Sequence, residues 1–225
     1  GTGFHSVVHR TQDRAIVRAK SPEVWLRDCA LELQNVFESF SGSMLMSLVV
    51  GLVEHRSGVV YYLNAEHPWI VLYRDGQSSF IEKDTYMRKV GVPGLSETLA
   101  LRTFAMRPGD VLIAGSDGRD DILLETSADG QRVINEDETE FLRRVTDGQG
   151  DLEQIEAGIR QQGDLTDDFS LLKVSYRAGE KSDAGQPNVK ERLQKALGEK
   201  ARERGVRVAL EVLEGDTAAG ALLFL

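Results

Sequence analysis

The chain has a single cysteine in 225 residues, Cys29, so it can close no internal disulfide, and the apolar helical pattern around it reads as an inert core thiol. It also lacks any apolar run of membrane-spanning length, and no basic start precedes an apolar stretch. Both absences point to a reduced, cytoplasmic setting with no membrane partner in this segment. Cations are in deficit, 27 Lys plus Arg against 36 Asp plus Glu for a formal net charge of -9. That disfavours nucleic acid, whose phosphates demand an excess of cations, and suits a divalent metal ion. Three catalytic signatures are missing as well. There is no G-x-x-x-x-G-K-[ST] phosphate loop, which argues against a nucleoside triphosphatase. Ser116 is not framed by G-x-S-x-G, and His5 and His9, one helical turn apart, lack the intervening glutamate of H-E-x-x-H.

What remains is enough for a core. Hydrophobic residues make up 41% of the chain, and its 225 residues suit one large domain, or one domain with an appendage. Phe4, Val7 and Val8 lie at helical spacing. Ser21-Pro22-Glu23 then supplies an N-cap, a proline at the first helical position and an acid in the first turn of a helix that runs to Phe40 and stops at Ser41-Gly42. Trp25 and Phe37 on that helix read as core packing. After Gly42 the period changes to strands: Ser43 to Glu54 and Val59 to Asn64, Trp69 to Arg74 and Ser78 to Glu82, and Leu99 to Ala105, an antiparallel meander. Between Ile122 and Ile159 polar content rises and helical spacing returns, clearest over Glu138 to Val145 and Leu152 to Ile159. Residues 177–187 read as a linker. Residues 188–225 read as a helical extension, with helices over 189–204, 206–214 and 218–225 and a weak tetratricopeptide-like spacing.

Two acidic tips stand out. Val111 to Ala114 is an apolar strand ending at Gly115-Ser116-Asp117-Gly118, and Asp164 to Asp168 leads into a final strand, Phe169 to Tyr176. A carboxylate leaving a core needs a cation, a donor or water. Aspartates on neighbouring strand ends suit Mg2+ or Mn2+, which bind through one or two carboxylates plus waters. Spacing alone leaves open that Asp110, Asp117, Asp120, Asp121, Asp167 and Asp168 are ordinary turn formers.

The order of pieces resembles the PPM-type metal-dependent serine/threonine protein phosphatases, in their bacterial SpoIIE/RsbU-like branch. Asn64-Ala65-Glu66-His67-Pro68, Arg107-Pro108-Gly109-Asp110, Ser116-Asp117-Gly118 and Asp167-Asp168-Phe169-Ser170 stand in the order of that family's N-A-G-H-P, P-G-D, [ST]-D-G and D-D-x-[ST] elements. The resemblance spans residues 1–176. It implies an α+β fold, an α-β-β-α sandwich of antiparallel sheets flanked by helices, with a two-metal Mn2+ or Mg2+ centre that activates water for attack on phosphoserine or phosphothreonine. It also implies a phosphorylated protein substrate, by family analogy an anti-sigma-factor antagonist in bacterial partner switching. Carried over, Asp117 and Asp167 are the catalytic metal ligands and Gly118 lets the backbone turn beside the first. Asp168 is a neighbouring acid orienting the site, and Asp121 has an outer role only.

Two departures bear on this. Glu66 replaces the family's glycine in the N-A-G-H-P turn, with His67 expected to be structural. The family's first metal element, an Asp-x-Ser-Gly-His-Gly-like stretch, and the first strands of the sandwich are expected upstream of the chain's start at Gly1-Thr2-Gly3. Two readings therefore stand: a phosphatase domain completed in a longer parent protein, or a non-catalytic phosphatase-like scaffold without a full metal centre. In either, the C-terminal helices offer a surface for self-association.

Overall fold

Ser21, Pro22 and Glu23 start the first helix as their chemistry dictates. In the computed structural model α1 spans Pro22–Glu38, and the Ser21 hydroxyl accepts the Val24 N–H at 3.4 Å. The structure describes residues 21–54, 56–82, 84, 87–95, 99–127, 130–135 and 137–177, with the backbone of 212–213 and 220–224. The helix expected over the first residues, the 177–187 linker beyond its first residue, and the 189–204 helix lie outside the described residues.

Period-two alternation places two strands at the centre of the molecule. In β1 (Leu48–Glu54) and β2 (Val59–Ala65), Leu48, Val50, Leu63 and Ala65 face α1, where they meet Trp25, Leu26, Cys29, Ala30 and Leu33. Val49, Val60 and Tyr62 face the opposite way, onto a second sheet. That sheet contains β3 (Val71–Arg74), β4 (Gln77–Phe80), β6 (Val111–Gly115) and β10 (Leu171–Ser175), in the order β10-β6-β3-β4. Leu112 and Ala114 of β6 meet the first sheet, while Val111 and Ile113 meet the helices α2 (Thr139–Asp147) and α3 (Leu152–Gln162) through Phe141, Val145, Ile155 and Ile159. Each such aliphatic side chain, fully buried, contributes about 1.5–3 kcal/mol. The layers are α-β-β-α with antiparallel strands, and the meander is divided between the two sheets, β5 (Arg102–Ala105) pairing with β2.

Two regions differ from the sequence reading. The span after Ile122 opens as a hairpin rather than a helix. Its strands β7 (Ile122–Thr126) and β8 (Arg132–Ile134) form, with β9 (Asp164–Leu165), a third sheet in the order β8-β7-β9. The polar segment has no apolar stripe for a helix to bury. Only Ile122 reaches the core, while Leu124, Val133 and Ile134 stay exposed. The helices expected over 206–214 and 218–225 are, in their described parts, strands: β11 (Val212–Leu213) and β12 (Gly220–Phe224), the latter antiparallel to β1 with Leu52 opposite Leu222. The backbone groups along the open edge of β1 require partners, and a short apolar run satisfies them as a strand without the cost of nucleating a helix. The helical surface expected for self-association is therefore not present in the described parts of these two segments.

Two turns carry their own electrostatics. Asp110, in the Arg107-Pro108-Gly109-Asp110 turn, is 2% exposed and accepts both arms of the Arg74 guanidinium, at 2.7 and 2.6 Å, together with the Arg107 N–H at 2.6 Å. The Arg74 hydrogen bonds hold its carboxyl below the usual aspartate range against the opposing effect of burial. Glu66 takes a backbone φ of +45°, the left-handed region where glycine is at ease, while its carboxylate pairs with Arg88 at 2.7 Å. Arg88 is 71% exposed, so the pair adds little against the backbone cost.

Asp110→Asn is expected to lower unfolding free energy by about 2 kcal/mol at neutral pH, because it removes a charged acceptor from a buried pair. A depressed folded pKa gives stability that is present above the ordinary aspartate value and lost as pH falls through the folded one. The difference between wild type and variant in urea denaturation should therefore shrink on acidification; a pH-independent difference would refute the ionic account. Glu66→Gly is expected to raise stability by about 1 kcal/mol in the same assay, by relieving the left-handed backbone.

Candidate metal centre

The two acidic tips meet because β6 and β10 are antiparallel neighbours, with Gly115 opposite Leu171. Beyond the paired strands, the Ser116 N–H donates to the Ser170 carbonyl at 3.1 Å and the Ser170 N–H to Ser116 Oγ at 3.0 Å. The Ser116 hydroxyl in turn donates to the Asp168 carbonyl at 3.1 Å. The serines of the S-D-G and D-D-F-S elements thus zip the tips together on one side. On the other side Thr166 donates from its N–H (3.2 Å) and its hydroxyl (2.7 Å) to the Asp121 carbonyl, after which β7 and β9 pair, Ile122 opposite Leu165.

Between these two closures the chain that follows β6 bulges into a 3-10 turn, Asp117–Arg119, whose Gly118 lies against the Asp167-Asp168 backbone. Asp117, Asp121 and Asp167 each place a carboxylate oxygen there, all within 4.8 Å of one another. Asp117 Oδ1 accepts the Gly118 N–H at 3.1 Å and Asp167 Oδ1 accepts the Asp168 N–H at 2.7 Å. Each carboxylate is thereby oriented by the backbone N–H of the residue that follows it. Gly118 is required by contact. A β-carbon there would lie 2.3 Å from the Asp168 carbonyl oxygen and 3.3 Å from that of Asp167.

Of the residues singled out from sequence, Asp117 and Asp167 come together and Gly118 lies against the second tip through its backbone. Asp168 is not in the carboxylate group; its side chain is exposed, and its backbone carbonyl takes the Ser116 bond. Asp121, given only an outer role, joins the group itself. Its carboxyl is pushed above the usual range by burial first and then by the negative charges of Asp117 and Asp167. A cation held among the three would remove that repulsion, and three hard oxygen donors suit Mg2+ or Mn2+.

Behind the tips lies a buried polar layer. Asn64 closes the Asn64-Ala65-Glu66-His67-Pro68 turn, accepting the His67 N–H at 2.8 Å and donating to Glu82 at 2.9 Å. Glu82 is 4% exposed and faces Arg102 at 3.5 Å; burial raises its carboxyl while Asn64 and Arg102 pull it back. Tyr62, beside them, is pushed up to about 12 by burial. His67 is 8% exposed and its Nδ1 lies 3.2 Å from the Ser47 hydroxyl. Burial holds the imidazole below its ordinary value, Arg119 pushes the same way and Asp117 opposes both. The histidine therefore packs under the acidic turn. Arg119 and Asp120, which in the run Gly118-Arg119-Asp120-Asp121 look like surface charge, are drawn inward: Arg119 is 2% exposed.

Residues 3–177 match the family model of stage II sporulation protein E (SpoIIE). The chain belongs to the SpoIIE family. Among solved structures, this SpoIIE-family domain is similar to the RsbU and RsbW domains of Rv1364c from Mycobacterium tuberculosis, with a TM-score of 0.55 and 18% identity over 91% of this chain and 59% of that one. It is also similar to the SiaA-PP2C domain of Pseudomonas aeruginosa, with a TM-score of 0.57 and 14% identity over 78% of this chain and 68% of that one. A third likeness is to the PP2C phosphatase domain and a fragment of the regulatory domain of SpoIIE from Bacillus subtilis, with a TM-score of 0.54 and 12% identity over 77% and 50%. At these identities the likeness is one of fold, the PP2C-type sandwich. The chain spans 59% of the mycobacterial structure's length. No curated protein matches it.

Gly118→Ala is expected to push the two tips apart and to cost about 1–3 kcal/mol in chemical denaturation, the usual range for forcing a methyl into a packed site. Unchanged stability, with the Ser116–Ser170 bonds retained, would show that the tips are not in contact.

Proposed function

We propose that the domain hydrolyses phosphoserine or phosphothreonine on a protein, using divalent cations held by Asp117, Asp121 and Asp167. The observation that carries this reading is the convergence of those three carboxylates at the junction of β6 and β10 in a chain of the SpoIIE family. A divalent ion bound there, Mn2+ or Mg2+, would supply charge neutralisation for the phosphoryl group and a water activated for attack on phosphorus. Asp117 and Asp167 would hold the ion from opposite tips, and the separation of the tips is set by the serine and threonine hydrogen bonds on either side. Asp121 adds a third charge from the same side as Asp117. Burial and the neighbouring charges make Asp121 hold its proton more tightly than an ordinary aspartate, and a proton there competes with a cation, so cation binding should strengthen as pH rises.

For the substrate, the reading is a phosphorylated regulatory protein of the anti-sigma-factor antagonist class, supported by family membership and by the likeness to a structure described as RsbU and RsbW domains. No helix among the described residues is long and apolar enough to cross a membrane, which suits a regulatory domain meeting its substrate in the aqueous phase.

The test is phosphate release from a phosphoserine protein by the domain within its full-length parent, with and without Mn2+. Asp117→Asn, Asp121→Asn and Asp167→Asn are each expected to reduce Mn2+-dependent turnover about 100-fold or more, in keeping with loss of a preorganised electrostatic group. Calorimetry on the same proteins should show Mn2+ affinity falling in each variant. Retained activity in Asp117→Asn or Asp167→Asn would overturn the assignment. Absence of Mn2+ binding by the wild-type parent would favour the non-catalytic scaffold.

A further inference from the structure

The turn that carries Asp117 is a single 3-10 turn, Asp117–Arg119, whose own hydrogen bonds are local ones to Ser116 and Asp117 and do not tie it to the rest of the fold. Its last residue is the buried Arg119. The guanidinium is gripped from three sides: Nε–H donates to Asp120 Oδ2 at 3.0 Å, Nη2–H to the Trp69 carbonyl at 2.9 Å, and the plane lies over the Phe141 ring with Cζ 4.3 Å from its centroid. These partners come from three places: the turn itself, the segment entering β3, and helix α2. Neither Arg119 Nη1 nor Asp120 Oδ1 finds a hydrogen-bond partner among the described residues, although both are buried. An incompletely answered buried ion pair is a poor source of stability, and an apolar side chain of similar size would fill the space at less cost. What the pair does supply is direction, because a planar fork bonded to a carbonyl and stacked on a ring can sit in only one orientation.

We propose that Arg119 is a positioning residue. It ties the Asp117–Arg119 turn to the Trp69 carbonyl and to Phe141 so that Asp117 and Asp121, on either side of it in sequence, present their carboxylates to the same point as Asp167. The Asp120 and Asp121 N–H groups both donate to the Asp117 carbonyl, at 2.8 and 3.1 Å, so the geometry of the turn is reported directly by those two amides. The metal consequence rests on the proposed function; the ordering of the turn does not.

The experiment uses the double variant Arg119→Met with Asp120→Asn, which removes the fork without leaving a buried carboxylate unpaired, alongside Arg119→Lys and Phe141→Leu. Amide hydrogen exchange is followed at Asp120 and Asp121 in metal-free protein, the unfolding midpoint is measured, and Mn2+ affinity is read by calorimetry on the full-length parent. In the double variant, exchange at the two amides should accelerate about 10-fold or more while the unfolding midpoint holds, and Mn2+ affinity should drop about 10–100-fold, as when an outer partner of a metal ligand is lost. Arg119→Lys, which keeps the charge but not the fork, should recover less than half of either effect on a logarithmic scale. Exchange and Mn2+ affinity at wild-type levels in the folded double variant would overturn the proposal. Should the double variant unfold, Phe141→Leu decides: faster exchange confined to the turn supports the positioning role, and exchange unchanged there overturns it. Faster exchange in a protein whose wild type binds no Mn2+ would leave the positioning of the turn intact and refute the metal reading alone.

Discussion

The contact of the Gly118 backbone with the carbonyls of Asp167 and Asp168 is the constraint on which the rest of the site depends. Two strand ends that carry like charge would diverge if charge alone acted on them. They are held together because β6 and β10 are neighbours in a sheet and because no side chain separates their continuations. Once the backbones touch, the Ser116–Ser170 and Asp121–Thr166 bonds close the chain on both sides of the bulge. The carboxylates then have no direction left to move apart. Strain of this kind is tolerable because the flanking layers are well buried. Ile113, Phe141, Val145, Ile155 and Ile159 lie beneath the tips at no more than 2% exposure and supply the stability that the gathered charges subtract.

The sandwich could be read from the chain where local chemistry and burial agree. The Ser21-Pro22-Glu23 start of α1, the alternation through β1 and β2, and the apolar run of β6 each have one face to bury and bury it. Asp117 and Asp167 were legible through the order of their motifs. Asp121 was not, since its place among the carboxylates is set by Thr166, 45 residues away, gripping its carbonyl. A pairing at that separation leaves no mark in local spacing. The β7–β8 hairpin escaped for the opposite reason: Leu124, Val133 and Ile134 are exposed and only Ile122 is buried, so burial imposes no alternation for a reader to find. The segment Gly220–Phe224 is ambiguous by composition. An apolar run of that length fits a helix or a strand, and the free edge of β1 decides it.

Arg119 shows where pattern reading fails in principle. In the run from Gly118 to Asp121 a cation among acids has every sign of a solvated turn, and a buried guanidinium is costly enough to be uncommon. Its burial becomes tolerable only because a carbonyl from the entry to β3 and a ring from α2 converge on one spot, and both are brought there by tertiary packing. His67, expected from the sequence to be structural, is buried as such, and the same kind of distant partner holds it. The turn that buries it is closed by Asn64, whose side chain is fixed in turn by Glu82 from beyond β4.

Seen from the three carboxylates, these buried polar groups form a second layer in which one ion pair is only partly satisfied: Arg119 Nη1 and Asp120 Oδ1 have no hydrogen-bond partner among the described residues. A fold selected for stability alone would fill that volume with aliphatic side chains, as it does around Ile113. An apolar filling packs equally well in several rotamers and would let the three-residue turn rock. A guanidinium held over the Phe141 ring and bonded to the Trp69 carbonyl permits one arrangement. The stability given up in that layer is the physical cost of holding carboxylates from two separate tips at one point, and it falls where the turn's own hydrogen bonds do not tie it to the rest of the fold.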